Sequence, residues 1–106
     1  MKIIRKSCMN KDLQIILRLS DSIQSLISDL HVKDPQNETF DQEGFLNGSA
    51  IIKDYLAEGE YGIAVEHLIY MVYESELVFP SEIIKELHAI ASKLSVKNPY
   101  LTKVAN

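Results

Sequence analysis

The chain has 106 residues, of which 46% are apolar and 25% charged, and its formal net charge is −4. This length suits one domain with one modest core, and the composition excludes a disordered chain. The acidic balance argues against direct binding of nucleic acid. The N-terminus lacks the apolar run of a signal peptide, and no stretch approaches the length of a membrane span. We therefore expect a cytoplasmic protein.

The charge is distributed unevenly along the chain. Residues 34–76, called the acidic segment below, contain ten acids and one base, Lys53, for a net charge of −9, whereas the rest of the chain carries +5. Such a separation in a small protein predicts a surface that binds a basic partner. Two alternatives remain open: the acids only solvate helix faces, or the basic termini fold back onto them.

A first helix is predicted over about residues 10–31, after a short basic lead-in at residues 1–9. Asn10 is the expected N-cap, because its side chain can accept from the first free N–H groups of a helix. The apolar face follows the helical period through Leu13, Ile16, Leu17, Ser20, Ile23, Ile27 and Leu30.

A long polar loop is predicted over residues 31–42, because a residue before proline, here Asp34, disfavours helix. We expect Phe40 and Phe45 to anchor the end of this loop to the core.

The second helix is predicted roughly from Gly44 to Glu58. Gly48 makes its first half doubtful, because glycine inside a helix costs about 1 kcal/mol relative to alanine. Asn47 and Ser49 are the alternative starting points.

Gly59 is expected to end the second helix in the left-handed conformation, and Glu60 to open a third helix that runs to about Ser75. So short a connection predicts a helical hairpin at Gly59-Glu60. The core stripe of the third helix is Tyr61, Ala64, Val65, Leu68, Met71 and Val72.

A fourth helix is predicted over about residues 81–94, with Pro80 at its start and Pro99 preventing its continuation. Residues 98–106 are expected to be a loose tail or a strap over the core. Strand patterns are weak throughout. The fold class is therefore all-α, a single domain over residues 1–106 built as a bundle of about four helices.

No residue pattern points to catalysis or to a bound metal. His31, His67 and His88 lack the spacing of a metal-binding helix, and Cys8 is the only cysteine. The predicted protein is not an enzyme and has no cofactor.

One face of the third helix combines acids with tyrosines. Glu66, Tyr70 and Tyr73 are four and three residues apart and fall in one row, with Glu74 beside them. Tyrosines are enriched at binding hot spots. The alternative is that one tyrosine packs under the fourth helix or the tail while the other is simply exposed.

The stretch Ala57 to Leu68 reads Ala-Glu-Gly-Glu-Tyr-Gly-Ile-Ala-Val-Glu-His-Leu. It resembles the middle of the MafI-type family of small bacterial immunity proteins, and the resemblance extends from about Ile51 to Leu94. It implies a protein that binds a cognate toxin domain without catalysis, in polymorphic-toxin or contact-dependent growth inhibition systems. The implied toxin is basic, a nuclease with a ribonuclease favoured, bound as a 1:1 heterodimer.

Two sets of residues follow from the charge pattern and the resemblance together. The expected partner-binding residues are Asp41, Glu43, Asp54, Glu58, Glu66, Tyr70, Tyr73 and Glu74. The residues expected to hold the second and third helices together are Gly59, Glu60, Tyr61, Gly62 and Ala64. Two other functions remain open: a helical adaptor or regulator, dimeric through an apolar helix face, and a small enzyme or metal protein using the clustered carboxylates.

Overall fold

The computed structural model describes the backbone of residues 2–102 and the side chains of residues 11–101. Four α-helices make up most of it, and the described backbone contains no strand, which confirms the all-α prediction. They are α1 (Lys2–Lys33), α2 (Gly48–Ala57), α3 (Tyr61–Ser75) and α4 (Ser81–Lys93), with short 3-10 helices at Glu38–Asp41 and Pro99–Thr102. None of the helices in this part of the chain is long and apolar enough to cross a membrane.

The helix α1 is longer than its sequence predicts. It begins at Lys2, so Asn10 lies inside the helix and is not its N-cap. The lead-in contains neither glycine nor proline, and nothing local stops the i to i−4 hydrogen bonds from continuing through it. At the other end α1 reaches Lys33, and the Asp34 amide still bonds the carbonyl of Leu30. Pro35 then prevents further helix.

The segment between α1 and α2 is more ordered than a plain loop. Its 3-10 helix is capped by Asn37, whose side chain accepts from the amide of Thr39 at 2.9 Å. Phe45 is fully buried, and Phe40 packs against the core and edge-on against the ring of His31. The prediction that these two phenylalanines anchor the segment is confirmed.

The helix α2 begins at Gly48 and not at Gly44, with Asn47 as the N-cap residue. Gly44 has φ +88°, a left-handed value that no α-helix contains. Gly48 lies against α3, because a Cβ added there would come within 2.5 Å of the Met71 side chain. The close packing of Gly48 against Met71 therefore explains why a glycine occupies the first turn of α2. From the sequence alone, this glycine made the start of the helix uncertain.

The junction between α2 and α3 has the predicted geometry. Gly59 has φ +75°; its amide bonds the carbonyl of Leu56, and the Glu60 amide bonds that of Tyr55 at 2.8 Å. These two bonds form a Schellman motif, which satisfies the last carbonyls of a helix. Ala64 is fully buried.

Gly62 does not mark a close helix contact, since a Cβ there would lie 3.7 Å from Val96, an ordinary separation. Tyr61 is half-buried against the core. Of the five residues expected to hold α2 and α3 together, Gly59 and Glu60 form the connection, and Tyr61 and Ala64 pack in or against the core.

The core lies where α3 meets the other three helices, since α1, α2 and α4 all pack on it. Five of the six residues in the apolar stripe predicted for α3 are buried, together with Ile69, and Tyr61 is half-buried. Helix α1 adds the buried Leu19 to its own predicted stripe. The C-terminal segment behaves as a strap up to residue 102: Leu101 packs against the core, and Tyr100 stacks on Tyr73 with ring centres 4.4 Å apart. The rest of the predicted tail, residues 103–106, lies outside the described residues.

Candidate interaction surface

The acids of the acidic segment face solvent without a basic partner among the described side chains. Nine of the ten are exposed and Glu74 is half-buried. The two salt bridges found among residues 11–101 both join α1 to α4: Arg18 with Glu86, and Lys93 with Asp12 at 2.6 Å. Neither includes an acid of the segment. The alternative in which the basic termini cover these acids concerns side chains outside the described range.

Three consecutive backbone carbonyls fix the segment before α2 onto its neighbours. The carbonyl of Glu43 lies 3.1 Å from the Tyr70 hydroxyl, and that of Gly44 accepts from His67 Nε2 at 3.0 Å. The carbonyl of Phe45 accepts from the Gln24 side chain at 3.0 Å. Each bond is made by a different side chain, so the path of the backbone here is closely defined.

Tyr70 lies at the centre of this contact. Its hydroxyl is also 3.1 Å from Gln42 Oε1, so one proton is shared between two acceptors, and its ring packs against Phe45. Burial, followed by the nearby carboxylates of Glu74 and Glu43, raises the pKa of the Tyr70 phenol above its ordinary value of 10.0. Removing a phenol from water disfavours its anion, and neighbouring negative charges add to that effect. Tyr70 therefore remains a hydrogen-bond donor throughout the neutral range.

His67 bonds the carbonyl of Gly44, and this bond fixes the tautomer of the imidazole. A carbonyl oxygen only accepts, so the Nε2 atom must carry the proton in this bond. A Cβ added at Gly44 would lie 2.7 Å from the imidazole Cε1 atom. Both this proximity and the positive φ therefore require glycine at position 44.

Gln24 is a residue that the sequence analysis missed. Besides bonding Phe45, its side-chain oxygen accepts from the amide of Ser49 at 2.8 Å. That amide is one of the unsatisfied donors of the first turn of α2, and the Asn47 side chain makes no capping bond. A residue of α1 thus caps α2. Gln24 lies 25 residues before Ser49, so no local sequence pattern indicates this role.

The structure brings some of the expected partner-binding residues together and separates others. Glu43, Tyr70 and Glu74 form one group, which Gln42 links by a bond of 3.5 Å to the Glu74 carboxylate. Glu66 is exposed one turn before Tyr70 in the same row of α3.

The other members lie apart from that group. Tyr73 is half-buried and stacks on Tyr100 of the C-terminal segment, as the alternative expected for one of the two tyrosines. Tyr70 is also half-buried and is not the simply exposed residue of that alternative. Asp54 lies on the exposed face of α2, away from the buried Ile52, and Glu58 is exposed at the C-cap of the same helix.

Asp41 and Glu43 line an open hollow of about 450 Å³ beside the start of α2. Its other walls include Phe40, Leu46 and Ile51. Leu46 has 46% of its surface exposed, which is high for a leucine. The polar side chains of Gln42 and Asn47 also line the hollow, so its surface is more polar than apolar.

The histidines and acids do not gather into a ligand set within residues 11–101: no three His, Cys, Asp or Glu side chains come together as a metal ion would require. The chain was also compared with protein-family models, curated proteins and solved structures, and no comparison gave a match.

Proposed function

We propose that this chain is an immunity protein of the MafI type, which binds a cognate bacterial toxin domain and neutralises it. The observation that carries the proposal is the exposure of the acidic segment without basic partners among the described side chains. A domain that leaves a net charge of −9 on less than half of its length pays a small cost in self-repulsion. A basic partner would reverse that cost.

The proposed target is a nuclease, with a ribonuclease favoured, because nuclease sites are basic in order to hold phosphate groups. Carboxylates on a rigid helical surface can occupy such a site in place of phosphates. Complementary charge also speeds the encounter, with association rate constants up to about 10⁸–10⁹ M⁻¹s⁻¹ at low salt. An inhibitor that must act before its toxin cleaves substrate benefits from that speed.

The test is co-expression with a toxin domain, if the reading frame next to the gene for this chain encodes one, as the proposal expects. We expect the chain to restore growth and to form a 1:1 complex, measured by light scattering and calorimetry. Raising the salt from about 0.05 to 0.5 M should slow association by roughly tenfold or more. A chain that neither protects the cells nor binds the domain would contradict the proposal.

A charge-reversal pair separates the surface from the overall charge. Glu66→Lys with Glu74→Lys changes the row on α3, whereas Asp21→Lys with Asp29→Lys makes the same change in net charge on exposed positions of α1. We expect the α3 variant to slow association at least tenfold and to lose protection, with the α1 variant close to wild type. Equal protection by both variants would exclude the acidic-face model while leaving the immunity role open.

A helical adaptor is the second candidate. Val78 is 97% exposed and borders an apolar groove formed by Leu26, Leu30 and Leu77. Exposed apolar surface of this kind is one mark of a protein contact. Light scattering of the purified chain tests for a dimer, and Val78→Ser should dissociate it if this groove is the interface.

A further inference from the structure

We propose that Asn47 is a site of spontaneous deamidation and that the side chain of Gln24 controls its rate. The reaction is independent of the proposed immunity role. Asn47 is the only asparagine of the chain that is followed by glycine. Its side chain is exposed and makes no capping bond to α2. Asparagine is a thermolabile residue, and a glycine after it has no Cβ that would hinder attack by the next backbone nitrogen.

The reaction needs only the chain itself and water. The Gly48 backbone nitrogen loses its proton to the solvent and attacks Cγ of Asn47. A bond forms between these two atoms, the bond from Cγ to Nδ2 breaks, and Nδ2 takes up a proton and leaves as ammonia. Water then opens the cyclic imide at one of its two carbonyl carbons. Opening at Cγ gives an aspartate at position 47, and opening at the backbone carbonyl gives an isoaspartate, in which the main chain runs through the former side chain.

The folded backbone holds the two reacting atoms apart. Asn47 has ψ 19°, so the Gly48 nitrogen is nearly eclipsed with the Asn47 nitrogen and points away from Cβ and Cγ. Both polar groups of this peptide are bonded: the Gly48 amide to the carbonyl of Phe45 at 3.3 Å, and the Asn47 carbonyl to the amide of Ile51 at 3.1 Å. Rotation about ψ would break both bonds. The attack therefore requires that the start of α2 opens first.

Gln24 holds this peptide closed from both sides. Its side-chain nitrogen donates to the carbonyl of Phe45 at 3.0 Å, and its side-chain oxygen accepts from the amide of Ser49 at 2.8 Å. One partner precedes the Asn47–Gly48 pair and the other follows it. The frequency of local opening is set by such contacts, so Gln24 acts as a positioning residue that protects Asn47.

Both products change the surface at the start of α2. Each adds one negative charge to the acidic segment, because a carboxylate replaces a neutral amide. The aspartate suits a helix N-terminus, where a carboxylate accepts from free amides and lies at the positive end of the helix dipole. The isoaspartate inserts its Cβ atom into the main chain, so the bonds across residues 45–51 no longer fit together.

The experiment incubates the purified full chain at mildly alkaline pH and then digests it with trypsin. Cleavage after Lys33 and Lys53 gives a peptide, residues 34–53, that contains both Asn37 and Asn47. Fragmentation mass spectrometry locates each converted residue, and chromatography separates the aspartate and isoaspartate products. We expect conversion at Asn47 to be at least about tenfold slower in the folded chain than in urea, where no opening step is needed.

Asn37 is the internal control in the same peptide. Its side chain accepts from the Thr39 amide at 2.9 Å and donates to Asp34 at 3.3 Å. The next residue, Glu38, has the Cβ that glycine lacks. Conversion in the folded chain should therefore be slight at Asn37, and a general loss of amide groups during incubation would be recognised there.

Three variants separate the role of Gln24 from overall stability. Gln24→Ala should convert Asn47 at least about fivefold faster than wild type in native buffer, because the start of α2 opens more often. Ile84→Val lowers stability at a buried position of α4 that makes none of these bonds, and should leave the rate within about twofold. Asn47→Ser keeps a capping residue without the amide, so the mass change at this position should disappear. Thermal unfolding shows that each variant is folded at the incubation temperature.

Several results would overturn the proposal. Equal rates in the folded chain and in urea would show that the fold does not protect Asn47. Equal rates in Gln24→Ala and wild type, or equal acceleration by Ile84→Val, would remove the specific role of Gln24. Conversion without any isoaspartate would exclude the cyclic imide. None of these measurements involves a toxin, so their outcome is separate from that of the co-expression test.

Discussion

The two sides of this bundle treat their charges in opposite ways. Where α1 meets α4, acids and bases face each other in pairs, as in Arg18 with Glu86 and Lys93 with Asp12. Where the segment before α2 meets its neighbours, the connecting bonds come from Tyr70 and His67 of α3 and Gln24 of α1. The carboxylates around them have no described basic partner. The first side has its charges balanced within the chain. The second is built from neutral bonds and keeps its negative charge available.

The comparison predicts that the segment before α2 is held in place by buried side chains and not by ion pairs. A substitution of Phe45 is the strongest test of this prediction. Its ring is fully buried, so Phe45→Ala should lower the free energy of unfolding by about 3–5 kcal/mol, measured by urea denaturation. The neighbouring Leu46→Ala is the control and should cost less than about 1 kcal/mol, because half of that side chain is already exposed. Similar costs for both variants would show that the segment is not anchored as described.

Loss of the Gln24 cap should have the next largest effect on the free energy of unfolding. Gln24→Ala removes one bond to the carbonyl of Phe45 and one to the amide of Ser49. We expect a loss of about 1–3 kcal/mol, because both backbone groups are part-buried and lose their partner. Gln14→Ala, at an exposed position of α1, is the matched control. Hydrogen exchange at Ser49 should accelerate in the Gln24 variant, and unchanged protection there would contradict the capping role.

Tyr70 gives a smaller effect with a definite dependence on pH. Tyr70→Phe should cost about 0.5–1.5 kcal/mol at pH 7 through the lost hydroxyl bonds. Since folding raises the pKa of Tyr70, the contribution of its proton is fully present below pH 10 and is lost as the pH rises through the folded pKa. The stability difference between wild type and variant should therefore shrink above pH 10. Urea denaturation at neutral and alkaline pH measures it, and a constant difference would contradict the assignment.

The smallest effects have opposite signs on the two sides. Lys93→Gln should destabilise by about 0.2–1 kcal/mol at low salt and by less at about 1 M NaCl, because the Lys93 side chain is 57% exposed, although that of Asp12 is only 14% exposed. Asp54→Asn with Glu58→Gln should instead stabilise by a few tenths of a kcal/mol, since roughly that is the cost of like charges four residues apart near a helix C-terminus. The same sign for both changes in thermal unfolding would remove the contrast between the two sides.

The sequence predicted the elements whose ends are set by neighbouring residues. Gly59 lies between the end of α2 and the start of α3, and Pro80 directly precedes α4. Both positions were predictable, because a left-handed glycine and a proline affect only the few residues around them. The prediction of Asn10 as an N-cap was wrong, because α1 begins at Lys2. An asparagine marks a helix start only where the residues before it are not already helical.

The candidate site was only partly accessible to the same reasoning. The acidic segment was visible as composition, and Glu43, Tyr70 and Glu74 were among the residues expected there. The roles of His67 and Gln24 were not, because each bonds a carbonyl more than twenty residues away in sequence. Tyr70 and Tyr73 were expected on an exposed face, with the packing of one of them under the fourth helix or the tail as the alternative. Both are half-buried, Tyr73 against Tyr100 and Tyr70 against Phe45, which are distant in the chain.

The sequence by itself determined that this protein is a small helical bundle with a strongly acidic middle, because helical period, helix ends and charge are local properties. The tertiary structure decided how the segment before α2 lies on α3, which carboxylates share a surface, and which bases are already engaged elsewhere. Those outcomes depend on contacts between residues that are distant in the chain. Such contacts form, and contribute to stability, only when the helices pack together.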